Sequence, residues 1–487
     1  MSRRSLRPRR RAAASKHPFR RARRGLAALA ALLAALSGPV AGAAPDSDPL
    51  AGPGPLTLEA LVEAVVERNR DLEAARLAWR AALERPAQAA SLPDPMVMGS
   101  LAPLSIGAGE VDLGVAVEAR QELPYPTDRR LAAAAARAEA NAAEARVGEL
   151  RLDLAHAAGR LWLDLARIDR ELEVNAQHVV LLEELRAAAT GRYAAGLAPQ
   201  QAPLQAEVEH THLVHREVTL RAERGALAAR LNALLHRDAT APLPPLAALP
   251  PVPPEADPHG VVHGESHDTL PGSGLSDLSA TAARPELAAA DAELRARELE
   301  AELAGRERLP ALGVTASYSS MWGEEEHRWM AGVSVGLPVW RERIRAAEAQ
   351  AEAERAAAAA RREALADRIE SEAAAAAVLL AEMRHVVDLY ESRLLPPARD
   401  QVAAARSGLS AGTVDFPTTI EAEKTLRSVE LAREEARIDL VRRRLDLDRA
   451  LGRLPLAAAE GSPSHEPVHP ELPAGAEPRP AGGGNPR

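Results

Sequence analysis

Ala195-Gly196, nine residues and Ala206-Glu207 recur as Ala411-Gly412, nine residues and Ala422-Glu423, 216 positions later. Downstream the echo continues in Arg221/Arg437, Leu231/Leu447 and Leu235/Leu451. Upstream, Asp71-Leu72 answers Glu286-Leu287, Leu92-Pro93 answers Leu309-Pro310, and Leu123-Pro124 answers Leu337-Pro338, at offsets of 214 to 217. Anchors kept in one order at nearly one spacing mean two copies of a large module, not a solenoid of short repeats. The first copy takes residues 57–238 and the second 284–455.

Each copy reads as the same series. Leu58 to about Ala90 is amphipathic, with Thr57 as N-cap. The period then shortens to two. Val111, Leu113, Val115 and Val117 alternate with small or polar residues, and Met96 to Leu101 supplies a partner strand. In the second copy Val314, Ala316 and Tyr318 share one strand face, and Trp329, Ala331, Val333, Val335 and Leu337 share another. Trp322, Trp329 and Trp340 gather at these strands. That placement suits a membrane-interface girdle, and equally a soluble hairpin packed on helices. Thr127 to Tyr193 then reads as one helix, roughly 100 Å long at ~1.5 Å per residue. Ala198 to Arg237 returns beside it. Arg341 to Leu409, with a bend expected at Pro396-Pro397, and Asp415 to Leu451 repeat the pair. Gly196 and Gly412 allow the reversals between them.

The flanks bound the setting. Residues 1–43 pair a basic stretch with a short apolar run and Ala41-Gly42-Ala43, the layout of a cleaved export signal. Residues 44–56 form an N-terminal extension. Removing 1–43 takes 11 basic residues and no acid, so the net charge moves from −9 to −20, which argues against nucleic acid as a partner. There is no cysteine, hence no disulfide and no acylated Cys anchor. No later run of 18 apolar residues marks a transmembrane helix. Aromatics are 2% of residues while Ala, Leu, Glu and Arg dominate, the profile of long helices with thin seams. Residues 239–283 form a Pro/Gly/His-containing linker, and 456–487 read as a disordered tail.

Two strands per copy give four per chain. Four cannot close a barrel, and open edges are not tolerated in a bilayer. If the strands are membranous, three chains sharing twelve strands would close one, with the helix pairs forming a tube below it. At this point the chain resembles the TolC-type outer-membrane efflux proteins over roughly residues 56–455. The resemblance is carried by Ala411-Gly412-Thr413-Val414-Asp415, Ile420-Glu421-Ala422, Ala450-Leu451-Gly452, Leu394-Leu395-Pro396-Pro397-Ala398 and Arg284-Pro285-Glu286-Leu287. It implies a mainly α fold with a β membrane part: a homotrimer whose twelve-stranded β-barrel in outer-membrane lipid continues as a periplasmic α-helical barrel. It also implies partners, namely a periplasmic adaptor (membrane fusion) protein and an inner-membrane pump, the RND type among them. The docking tips would be Arg192 to Leu197 and Ser407 to Thr413.

The resemblance also places gate positions six and nine residues after the second-tip glycine, at Thr418 and Glu421. Their first-copy equivalents are Ala202 and Gln205. A threefold ring of Glu421 would favour cations in a narrow passage; a solvated helix residue is the other reading. Asp415 is either a second acidic gate group or a helix N-cap.

His259, His263 and His267 in the linker, with His465 and His469 in the tail, are spaced to bind a soft or borderline metal weakly. His212 and His215, near His210 on a returning helix, sit one turn apart. A solvated or unstructured role is the plain alternative for all of them. Heavy-metal exporters are a large branch of the family this chain resembles, so the resemblance puts metal cations first as cargo, with small toxic compounds as the other class. No phosphate loop, His-Glu-x-x-His motif or nucleophile elbow occurs, so the expectation is a conduit without cofactors rather than an enzyme. The competing class is a soluble periplasmic coiled-coil binding or adaptor protein.

Overall fold

The computed structural model describes residues 50, 54–102, 114–252, 281, 284–322 and 325–455. The leader, most of the 44–56 extension, the centre of the linker and the tail lie outside these residues, and so do His259, His263, His267, His465, His469, Val111 and Leu113.

In the first copy α1 (Leu58–Arg68), α2 (Arg70–Leu83) and α3 (Arg85–Ala90) precede β1 (Met96–Leu101) and β2 (Val115–Glu122). The long α4 (Pro126–Ala194) and its partner α5 (Gln201–Leu234) follow. In the second, α6 (Pro285–Gly305) leads to β3 (Ala311–Ser319) and β4 (Trp329–Gly336). Then come α7 (Arg341–Asp388), α8 (Leu395–Ala411) and α9 (Phe416–Ala450). The expected series is therefore present twice, with two changes of detail. Leu58 to Ala90 is not one helix: Asn69 leaves the helical path at ψ 122, and its Oδ1 accepts the N–H groups of Asp71 and Leu72 at 3.0 and 3.1 Å. A side chain that satisfies two orphan donors starts a new helix in the middle of an unbroken apolar period. The expected bend before Pro396-Pro397 takes the form of a π-helical turn over Leu389–Leu394, since neither proline offers an N–H to the preceding turn. Thr57 caps α1 as expected, accepting from the Ala60 N–H at 3.2 Å.

The helices pack in sequence rather than around one centre. The column of α1–α3 and α5 lies against α4, α4 against the column of α6 and α9, and that column against α7. The seams are thin and rich in Ala and Leu, anchored by the fully buried Trp162, whose Nε1 donates to the Leu56 carbonyl at 3.0 Å. The split columns join end to end at two equivalent junctions. In the first, Asn69 Nδ2 donates to the Leu234 carbonyl (3.4 Å) and the Arg70 N–H donates to His236 Nε2 (3.2 Å). In the second, the start of α6 meets the end of α9, where a Cβ on Gly452 would stand 3.3 Å from the Arg284 Cα. His236 (φ 53) and Gly452 (φ 71) are 216 positions apart, the same left-handed step in both copies.

At the second junction Arg284 is buried. Its Nη2 lies 2.6 Å from Glu286 and its Nη1 3.1 Å from Glu372, while Arg449 reaches Asp153 at 2.5 Å. Burial, and then the neighbouring carboxylates of Glu286 and Asp153, raise Glu149 above the ordinary glutamate range. A carboxyl group with a raised folded-state pKa destabilises the fold at any pH where it is ionised, and the penalty vanishes below its unfolded pKa. Glu149→Gln is therefore expected to raise the thermal midpoint at pH 7.5 and to leave it unchanged at about pH 4. Scanning calorimetry at the two pH values checks it.

Candidate membrane sheet and hairpin tips

The four strands form one antiparallel sheet in the order β1-β2-β3-β4, joined between copies by β2 and β3. The register sorts the side chains. One face carries Val97, Leu101, Val117, Ala119, Val314, Ala316, Tyr318, Trp329, Val333 and Val335, nearly all apolar. The other carries Glu118, Arg120, Glu122, Thr315, Ser317 and Ser334, with Met96, Met98 and Met330 among them. The apolar face is open: Val97, Trp329 and Val333 are 72%, 74% and 74% exposed. Residues Trp329 to Leu337 make nine, the length at which a tilted strand crosses a hydrocarbon core. Trp322 and Trp329 stand at the loop end and Trp340 at the helix end, all exposed, and Tyr318 packs on Trp329 with ring centroids 5.0 Å apart. Of the two readings of these strands, a soluble hairpin would bury this face on helices. The face is uncovered among the described residues. β1 and β4 each have one edge unpaired there.

At the far end of the helices lie the two reversals. Gly196 (φ 69) and Gly412 (φ 75) take the left-handed turn that the spacing calls for, and the Thr413 N–H returns to the Gly408 carbonyl at 2.9 Å. Gly408 escapes sequence reading; Val414 folds back onto it so closely that no side chain fits. Leu182, Leu185, Ala189, Ala202, Ala206, Leu213, Leu409, Phe416 and Ile420 form one apolar cluster that joins the two hairpins. Arg192 Nη1 donates to the Leu409 carbonyl across the same seam (3.1 Å), and Lys424 pairs with Glu209.

Within this tip the gate candidates separate. Asp415 is the N-cap of α9: its carboxylate accepts the Thr418 N–H at 3.0 Å, and hydrogen bonding by Thr418 holds it below the usual aspartate range. Thr418 and Glu421 are exposed, one turn apart, and Glu421 has no ion pair among the described residues. Ala202, the first-copy equivalent of Thr418, is buried in the cluster instead, so the two tips are not interchangeable. His212 and His215 are exposed on α5, His210 faces Glu183 at 3.4 Å, and among the described residues no three His, Asp or Glu side chains converge as a metal site. No described helix is long and apolar enough to cross a membrane.

Residues 279–453 match the family described as outer membrane efflux protein. No match was found among curated protein sequences. Among solved structures, the outer-membrane channel OprN aligns with 81% of this chain and 89% of its own at 20% identity and a TM-score of 0.67. The outer membrane protein VceC of Vibrio cholerae aligns over 81% and 96% at 16% identity, with a TM-score of 0.67. CusC, whose structures concern transmembrane channel formation, aligns over 81% and 92% at 16% identity, with a TM-score of 0.68. At such identities the likeness is one of fold.

Proposed function

We propose, taking the outer membrane efflux sequence of the second copy as premise, that this chain is an outer-membrane efflux channel with a large periplasmic part. It acts as a passive exit duct, not an enzyme. The observation that carries this reading is the sheet whose apolar face lies open while both edges stand unpaired among the described residues. In lipid both features must be resolved together, because an unpaired edge in hydrocarbon costs several kcal/mol per group. Three chains resolve them by pairing β4 of one with β1 of the next, giving twelve strands. The same operation brings the free flank of α7 against the α1–α3 and α5 column of its neighbour and continues the barrel as a tube of helices. The tips then face an adaptor, and an inner-membrane pump supplies the energy.

Fractionation followed by unheated gel electrophoresis tests this: a heat-sensitive trimer in the outer membrane is expected. A soluble monomer or dimer in the periplasm would restore the coiled-coil binding or adaptor protein.

In the trimer Glu421 would repeat three times near the tip and concentrate negative potential there. Glu421→Ala is expected to reduce cation preference in planar bilayers at least twofold; an unchanged reversal potential would make it an ordinary solvated residue. For cargo, the likeness to heavy-metal exporters favours metal cations over small toxic compounds, and the linker histidines are where a metal dependence would be sought. Deleting residues 255–275 should then lower metal tolerance while leaving outer-membrane abundance unchanged.

A further inference from the structure

The two ends of the apolar face carry opposite charge. At the helix end, residues 126–130, 305–309 and 340–345 hold seven arginines against three carboxylates, a surplus of four in a chain whose mature charge is −20. At the loop end, the described residues 320–322 and 325–328 hold two glutamates and one arginine. The helix-end arginines divide by partner. Arg306 pairs with Asp128, Arg343 with Glu307 at 3.1 Å and Arg308 with Glu348 at 3.0 Å, and these bonds tie α4, α6 and α7 together. Arg341 and Arg345 are exposed, one turn apart on α7, and have no ion pair among the described residues. They follow directly on Leu337, Val339 and Trp340, which are 70%, 65% and 76% exposed. A guanidinium on a long apolar stem at this height can rest its methylenes on the hydrocarbon edge and hold its charge among headgroups. Its fork matches a phosphate diester. Glu342, between them, offsets one charge and leaves the pair net positive.

We propose that Arg341 and Arg345, beneath the Trp340 girdle, form a headgroup site for anionic glycerophospholipid in the periplasmic leaflet, one in each protomer. The inference rests on the membrane reading of the sheet and adds lipid selectivity to it. A leaflet of zwitterionic lipid alone would leave Arg341 and Arg345 without counter-charge, whereas anionic headgroups at the same height supply it.

The test is native mass spectrometry of the detergent-purified full-length trimer after incubation with equal amounts of phosphatidylglycerol and phosphatidylcholine. The wild type is expected to retain phosphatidylglycerol at least threefold over phosphatidylcholine. Arg341→Gln with Arg345→Gln should abolish that preference, and Arg221→Gln on α5, remote from the sheet, should keep it. Equal retention of the two lipids by the wild type, an undiminished preference in the double variant, or a trimer that retains neither lipid would overturn the site and leave the channel reading intact. A chain that is soluble and never trimeric would instead overturn the channel reading itself. Should the double variant fail to assemble, Arg341→Lys with Arg345→Lys keeps the charge but loses the bidentate fork. It is expected to retain a reduced preference, and a preference equal to the wild type's would overturn recognition by the guanidinium fork.

Discussion

Val333→Arg is expected to remove the proposed outer-membrane trimer, while Ser317→Arg is expected to leave it in place. Val333 is the midpoint of the nine residues from Trp329 to Leu337. It faces outward opposite Val314 and is 74% exposed. An arginine at the middle of a membrane strand on the lipid face costs about 2–4 kcal/mol, and a threefold assembly incurs it three times. The sum is comparable to the whole stability of an ordinary domain. Ser317 lies on the opposite face between Glu118 and Met330, where an added guanidinium meets a carboxylate and, in the proposed barrel, the interior. The two substitutions add the same side chain to adjoining strands and differ in which way it points. Unheated electrophoresis of outer-membrane fractions reads the outcome. A wild-type amount of trimer in the Val333→Arg variant would mean that this face does not touch lipid, and the shared barrel would fall with it.

How much of this could be read beforehand follows from what each residue type has to satisfy locally. The reversals at Gly196 and Gly412 are legible because a left-handed step after a long helix needs glycine. The strands are legible because Trp329, Val333 and Val335 alternate with smaller or polar residues. That alternation cannot say what covers the apolar side, so it fits a membrane girdle and a soluble hairpin equally, and the open face is what the membrane proposal rests on. The pairing of β2 with β3 joins residues roughly two hundred positions apart and has no local signature. Asn69 breaks a helix whose apolar period runs on undisturbed, and only its capping chemistry could have marked the place. At the tip, Asp415 offered two roles, and the Thr418 N–H shows the cap, a local contact that one chain can display. The gate role proposed for Glu421 depends on a ring of several chains, which no local pattern around the residue can encode.

Arg284→Met tests the junction that makes the second copy one body. Arg284 is 3% exposed and bridges Glu286 at the start of α6 to Glu372 on α7, with its backbone pressed against Gly452 at the end of α9. Methionine approximates the stem of the side chain and deletes the charge. Glu286, 11% exposed, then loses its principal partner and keeps only the longer ion pair with Arg449 at 3.8 Å. Breaking a buried pair from one side costs about 3–5 kcal/mol, because the remaining charge is stranded. The double variant Arg284→Met with Glu286→Gln should recover part of that loss, which simple loss of packing would not. The pH dependence gives a second readout. Burial alone would push the Glu286 carboxyl up, but the Arg284 hydrogen bonds and nearby positive charge hold it below the glutamate range. A depressed folded-state pKa stabilises the protein above the unfolded value and loses that contribution as pH falls through the folded one. Wild-type stability should therefore decline as pH drops below about 4.5, while the Arg284→Met variant, already without the interaction, declines less over the same interval. Chemical denaturation of the detergent-solubilised protein at pH 7 and pH 3.5 measures both. Equal losses on acidification in the two proteins would show that Arg284 is a spacer between α6, α7 and α9 and not the ion that fastens them.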